Sequence, residues 1–281
     1  MRDVLLEVTG REPVSWTPVD EGGYSPGRRF LVRFADGGTA FVKTGWSVAD
    51  EVLVYSTVSA RCLPRLLAHA ADVLVIEDLS HARWGTPVTD ADCDLLVAAF
   101  DELEAAPVPE GLGSLEMTHR WAVLAADPGR LLRTGLVDEA WLRHLPALVE
   151  ADVADLAGDA LVHPDLWLQN WCRDDDRGAV IVDWWGAARA NATFLRAHGE
   201  AGVRSAGHPG GRVLRDAPEW AALLAGFATW HVVNDPPESM PRLVETLRRE
   251  AWATLRWACD DLGLPYPTPG PEIASLGPWR P

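Results

Sequence analysis

Lysine is almost missing from this chain of 281 residues: Lys43 stands alone against 24 arginines. Amide side chains are nearly as scarce, with one glutamine, Gln169, and three asparagines, Asn170, Asn191 and Asn234. A chain that uses arginine for almost every positive charge and keeps one lysine marks a place where a compact ammonium is needed and a planar guanidinium is not. The four cysteines, Cys62, Cys93, Cys172 and Cys259, lack C-x-x-C spacing and the density of a secreted disulfide scaffold, so free thiols are expected. Long apolar runs are absent too. The run Val73-Leu74-Val75-Ile76 is far short of the roughly 20 residues a membrane span needs, and Met1-Arg2-Asp3-Val4 opens no apolar signal region, so a soluble cytoplasmic protein is expected. Positive charge is also short, with a formal net charge of −16. That balance excludes a phosphate backbone as partner, because binding nucleic acid needs an excess of Lys and Arg on at least one face.

What is present fits a globular protein: 48% of residues are hydrophobic and 23% charged. From about Val14 to Ile76 the pattern is one of short strands. Phe30 to Phe34 and Thr39 to Lys43 are rich in β-branched and aromatic residues, and Ala35-Asp36-Gly37-Gly38 between them predicts a hairpin turn, which puts Lys43 at the end of its second strand. Ser47-Val48-Ala49-Asp50 resembles a capping box and predicts a helix from Glu51 to about Ala60. Val73 to Ile76 predicts a buried strand, broken by Glu77-Asp78-Leu79-Ser80. Beyond this point helical spacing dominates: Thr89 to Glu104, Asp138 to Leu156, Ala217 to Val233 and Leu243 to Asp261. In this half only Ala160 to Val162 and Ala179 to Val182 read as strands, and from Leu264 on a proline-rich irregular tail is expected. Strands first and helices afterwards make an α+β protein.

The densest chemical signal is Leu161-Val162-His163-Pro164-Asp165-Leu166-Trp167-Leu168-Gln169-Asn170, followed by Ala179-Val180-Ile181-Val182-Asp183-Trp184-Trp185-Gly186. A strand leads into a polar loop with Asp and Asn, and a second hairpin strand ends in a further Asp. Phosphoryl transfer from ATP needs one carboxylate for the acceptor hydroxyl and oxygen ligands from separate segments for Mg²⁺ on the phosphates. Asp165 suits the first task, Asn170 and Asp183 the second.

With these residues the chain resembles the aminoglycoside phosphotransferase and choline kinase family, relatives of protein kinases. Their catalytic loop reads His-Gly-Asp-x-x-x-x-Asn, with a metal-binding Asp after a short hairpin. His163, Asp165, Asn170 and Asp183 match position by position; Pro164 departs, standing where the family usually has Gly. The resemblance implies a two-lobed protein-kinase-like fold, here an N-terminal nucleotide-binding lobe at 1–78 and a mainly helical catalytic and acceptor-binding lobe at 79–281, with 263–281 as its tail. It implies ATP and Mg²⁺ as cofactors. It makes Lys43 the lysine on the α- and β-phosphates and Glu51 its partner, with Asp50 a rival, since helix register is not fixed by sequence. It places adenine on backbone groups near Glu77 and Leu79, and the phosphate-covering loop, including Ser25, between Glu21 and Gly27, although that loop is no G-x-G-x-x-G.

The implied activity is transfer of the γ-phosphate of ATP to a hydroxyl of a small molecule. The alternatives are a kinase of peptide Ser or Thr, disfavoured by the short stretch after Asp183, and a nucleotide-binding pseudokinase. His163 reads as an organiser of the loop and not as a base. Of 14 tryptophans, Trp167, Trp171, Trp185, Trp220 and Trp230 lie where an apolar or cation-π wall could meet an acceptor, and at least one of the pair Trp184 and Trp185 is expected in the core. Acidic residues outnumber basic ones 11 to 8 over residues 1–80 and 30 to 17 beyond, which slightly favours a cationic acceptor, with Asp216, Glu219 and Asp235 as candidate contacts.

Overall fold

A computed structural model describes residues 1–19, 27–45, 48–85, 87–234 and 240–276. They form two compact units. The first comprises Met1–Trp84, Leu95–Leu115 and Gly158–Ala192; the second comprises Gly85–Asp94, Glu116–Ala157 and Thr193–Pro281. This grouping by contacts joins residues 158–192 to the N-terminal sheet, so it runs differently from a division of the sequence at Asp78.

In the first unit, helix α1 (Arg2–Thr9) precedes strands β1 (Pro13–Pro18), β2 (Arg28–Phe34) and β3 (Thr39–Thr44). Helix α2 (Ala49–Thr57), β4 (Leu66–Ala70) and β5 (Val73–Glu77) follow, and the five strands make one antiparallel sheet in the order β1-β2-β3-β5-β4. The expected hairpin forms. Gly37 takes a φ of 87°, a conformation open to glycine, and the Phe34 amide donates to the Gly38 carbonyl at 2.9 Å. Alternation then sorts side chains by face. Phe30, Val32, Phe34, Ala40, Val42, Val73 and Val75 gather around Leu5 of α1 in one apolar cluster, so the intervening residues, Lys43 among them, face the other way. Helix α1 was not anticipated; it is an eight-residue helix whose apolar stripe is short, with Leu5 buried and Val8 packed half-buried against the same cluster.

Short strands complete this unit: β6 (Arg83–Trp84) with β8 (Trp171–Asp174) and β9 (Gly178–Ile181), and β7 (Ala160–Val162) with β10 (Ala188–Ala190). Strands β6, β8 and β10 were not anticipated. Helix α3 (Asp90–Glu104) begins in the second unit and ends in the first. Its start is the expected one, with Thr89 and Asp92 exchanging side-chain and backbone bonds.

The second unit is helical: α4 (Trp121–Ala126), α5 (Pro128–Arg133), α6 (Leu145–Glu150), α7 (Thr193–Ser205), α8 (Pro218–Val233), α9 (Pro241–Leu262) and α10 (Pro271–Ala274). The expected helices over 217–233 and 243–261 are present as α8 and α9. That over 138–156 is not continuous. Trp141–His144 is a 3-10 turn, Pro146 falls in the first turn of α6, and Ala151 is already extended with ψ 137°. The tail beyond Leu264 is anchored: Trp141 Nε1 donates to the Pro265 carbonyl at 2.7 Å, the Thr268 amide donates to Asp138 at 2.7 Å, and α10 lies within it.

Candidate active site

Lys43 is 9% exposed and its ammonium lies between two carboxylates, with Nζ 2.7 Å from Glu51 Oε1 and 2.6 Å from Asp183 Oδ1. Glu51 reaches it from α2, and Asp183 from the turn after β9. Burial works against the charge on Lys43, but Asp183 and Glu51 outweigh it and hold the ammonium above its ordinary pKa. Burial also opposes the Asp183 charge, and Lys43 prevails there, keeping that carboxyl below the usual carboxylate range. Glu51, only 1% exposed, is pushed by burial up to about 7 against the pull of Lys43. Asp183 has a φ of 62°, a left-handed conformation that Asp tolerates better than most residues and that turns the chain out of β9.

The rivalry between Asp50 and Glu51 is settled by helix register. Glu51 pairs with Lys43, whereas Asp50 accepts from the Gly186 amide at 3.1 Å. Asp50 therefore does not close a capping box; α2 starts from Val48 without a side-chain cap bond, and Ser47 lies outside the described residues.

Asp165 and Asn170 share the loop between β7 and β8. Asn170 Nδ2 donates to the Asp165 carbonyl at 2.6 Å and to its carboxylate Oδ2 at 2.9 Å, while the Val182 amide donates to the Asn170 carbonyl at 2.9 Å. His163, fully buried, ties the two strands together. Its Nδ1 accepts from the Asp165 amide at 3.1 Å, which leaves Nε2 to carry the hydrogen toward the Val182 carbonyl at 2.9 Å. Burial lowers its pKa to about 4, so it is a neutral organiser of the loop, as its sequence context suggested. Pro164 fits within this loop beside Gly186, whose φ is 73°. Asp165 is open to solvent on one side, yet the surrounding protein and the Asp183 charge both disfavour its ionised form and raise its carboxyl, to about 7.

Lys43, Glu51, Asp165, Asn170 and Asp183 thus converge within the first unit, with Asp183 close enough to act electrostatically on Asp165. Glu77 and Leu79 are engaged differently. The Glu77 amide donates to the Arg65 carbonyl, and its carboxylate accepts from the Arg65 amide and Nε and from Arg177 Nη1 at 2.6 Å. Leu79 packs with Cys172 and Val180, and its carbonyl accepts from the Ala82 amide and Trp84 Nε1. Ser25 and Glu21 to Pro26 lie outside the described residues, as does Asp235. Asp216 is exposed and Glu219 half-buried in the second unit. Trp184, Trp167, Trp171 and Trp220 are core residues, whereas Trp185 is 47% exposed and Arg120 stacks on Trp230. Tyr55, one turn after Glu51, is a buried member of the site that sequence reading missed; burial raises its phenol well above the ordinary value.

Magnesium fits this donor set. Among the described residues no group of three or more His, Cys, Asp or Glu side chains could hold a metal ion. A Mg²⁺ carried mainly by phosphates and water needs only one or two protein oxygens, and Asp183 and Asn170 supply two.

No family model and no curated protein matches the sequence. Solved structures do match in fold. A spectinomycin phosphotransferase crystallised with ADP and spectinomycin superposes with a TM-score of 0.61 at 11% identity, over 92% of this chain and 97% of that one. A choline kinase from Streptococcus pneumoniae gives 0.54 at 11% identity, over 93% and 97%. An aminoglycoside phosphotransferase in ternary complex with AMP-PNP and hygromycin B gives 0.52 at 16% identity, over 93% and 97%. The chain therefore has the α+β protein-kinase-like fold of the aminoglycoside phosphotransferases and choline kinase, with an antiparallel sheet in its N-terminal part and a mainly helical C-terminal part.

Proposed function

We propose that this protein is an ATP-dependent phosphotransferase that passes the γ-phosphate to a hydroxyl of a small molecule. The observation that carries the reading is the ion cluster of the sole lysine: Lys43 is held by Glu51 and Asp183 beside the loop that presents Asp165 and Asn170. Lys43, oriented by Glu51, offsets charge on the α- and β-phosphates. Asp183 and Asn170 would hold Mg²⁺, which when bound neutralises charge on the phosphate oxygens. Adenine is placed along the segment from Glu77 to Leu79, against backbone groups other than the Glu77 amide and the Leu79 carbonyl, which are already bonded within the fold. Asp165 orients the acceptor hydroxyl and takes its proton, so that the oxygen attacks the γ-phosphorus in line as the bond from that phosphorus to the β–γ bridging oxygen breaks and ADP leaves. The acceptor is proposed to be a cationic amine or amino-sugar, on the grounds of the net charge of −16 and of antibiotic and choline kinases among the structural neighbours.

Release of ADP from ATP and a panel of amine-bearing alcohols tests this. Asp165→Asn is expected to lower kcat by about 10³ while leaving ATP affinity within about twofold. Because the base must be ionised, kcat/KM should rise with pH until it passes the raised pKa of Asp165 and then level off; the residual activity of Asp165→Asn should lack that rise. Turnover by Asp165→Asn at the wild-type rate would sink the assignment.

A further inference from the structure

Arg29 has no part in the reading above, yet it lies beside the chain's only lysine. The register of β2 against β3 sets Arg29 directly opposite Lys43, and opposed residues of an antiparallel pair project from the same face with Cβ atoms about 5 Å apart. The flanking Phe30 and Val32 point into the apolar cluster on the other face, which confirms the parity. Arg28, opposite Thr44, is exposed and belongs to that other face.

Two like charges directly opposed across a strand pair destabilise the sheet unless something compensates them. Lys43 has its compensation in Glu51 and Asp183. Arg29 has no ion pair among the described residues, and its Nε is buried without a hydrogen-bond partner there. Its charge is nonetheless felt in the cluster, where it adds to the forces favouring the Asp183 carboxylate. A buried guanidinium nitrogen with no acceptor is costly, and a native fold that keeps one commonly supplies the acceptor from a ligand. The ligand must be anionic and must offer oxygens to a planar fork of donors, and a phosphate does both.

We propose that Arg29 is a phosphate-binding residue, a second cation that grips the phosphate chain of the nucleotide alongside Lys43. This rests on the nucleotide reading of the site and adds a residue to it. Division of labour follows from chemistry: Lys43 is a point charge already shared by two carboxylates, whereas Arg29 contributes a planar fork of directional donors, of which Nε has no acceptor among the described residues.

Calorimetric titration of the full chain with ATP and Mg²⁺, and separately with adenosine, tests it. Arg29→Gln is expected to weaken ATP about tenfold, the scale of one charge-assisted hydrogen bond, and to leave adenosine affinity unchanged. Arg29→Lys should recover part of the loss, and Arg28→Gln should match the wild type with both ligands. Wild-type ATP affinity in Arg29→Gln would overturn the proposal, as would an equal loss for ATP and adenosine, which would mark Arg29 as a shaper of the strand only. If the unsubstituted protein binds neither ligand, the nucleotide reading itself fails, a result distinguishable because it needs no substitution.

Discussion

An ammonium between two carboxylates at 2.6 and 2.7 Å occupies little space, and its three tetrahedral donors, rotating as one group, can meet Glu51, Asp183 and one further acceptor. A guanidinium is larger and planar and would have to displace Glu51, which is 1% exposed and has no room to retreat. That is a physical reason for one lysine in a chain otherwise furnished with arginine. His163 is the other residue whose protonation matters to the fold. Its folded pKa of about 4 lies below its unfolded value of 6.5, so the unfolded chain binds the proton first. The His163 contribution to stability is therefore complete above pH 6.5 and is lost as pH falls toward 4, with a loss of about 2 kcal/mol already at pH 5. Asp165 and Glu51, whose carboxyls are raised, act in the opposite sense over much the same range, so the wild-type profile alone does not isolate the histidine. The difference does. Urea denaturation of wild type and His163→Asn should show a stability gap that narrows by about 2 kcal/mol between pH 7.5 and pH 5. A gap independent of pH would mean that the imidazole is not held neutral.

At the scale of elements, loops here are fixed by single buried polar side chains. Helix α7 carries Glu200, fully buried, whose Oε1 accepts from Arg204 Nε and the Gly211 amide and whose Oε2 accepts from the Val213 and Leu214 amides. One carboxylate thereby satisfies three backbone donors of the segment leading to α8. Glu200→Ala leaves those donors and Arg204 without their acceptor, at a cost of about 3–5 kcal/mol. The segment should loosen before the whole fold does. Limited trypsin digestion below the melting temperature is expected to cut Glu200→Ala at Arg212 or Arg215 while the wild type stays intact at both; equal resistance in the two proteins would show that the segment is held by other contacts. The hairpin β8–β9 is tied in a similar way, with Arg177 bridging Glu77 and Asp174. The family resemblance marks Glu77 for its backbone, near which it places adenine; its side chain joins β5 to this hairpin, whose ends carry Asn170 and Asp183.

Across the molecule, legibility followed how local the cause was. The β2–β3 hairpin was readable because Asp36-Gly37-Gly38 dictates both turn and register, and the same register places Arg29 opposite Lys43, a signal present in the sequence that went unused. The loop that joins Asn170 to Asp165, and the turn that brings Asp183 to Lys43, drew notice through their residue spacing. Helix α7 did not, although Arg196, Glu200 and Arg204 recur at helical spacing, because Gly199 and Gly202 in its interior argue against a helix and its polar Glu200 is buried. Charge is the property that belongs to no element. The chain holds 41 acidic against 25 basic side chains, while its solvent-exposed ion pairs, such as Arg212 with Asp94 and Arg2 with Glu12, contribute little because water screens them. Salt weakens both these pairs and the repulsion among 16 excess negative charges. The repulsion acts over the longer distances, which screening removes first as the Debye length falls from about 30 Å at 0.01 M to about 3 Å at 1 M. The Lys43 cluster, being buried, is screened least. The melting temperature should therefore rise as NaCl is increased across that range at pH 7.5, by differential scanning calorimetry, and should rise less in a variant with several exposed acidic residues neutralised. A melting temperature that falls with salt would show that the surface pairs, and not the net charge, govern the electrostatics of this fold.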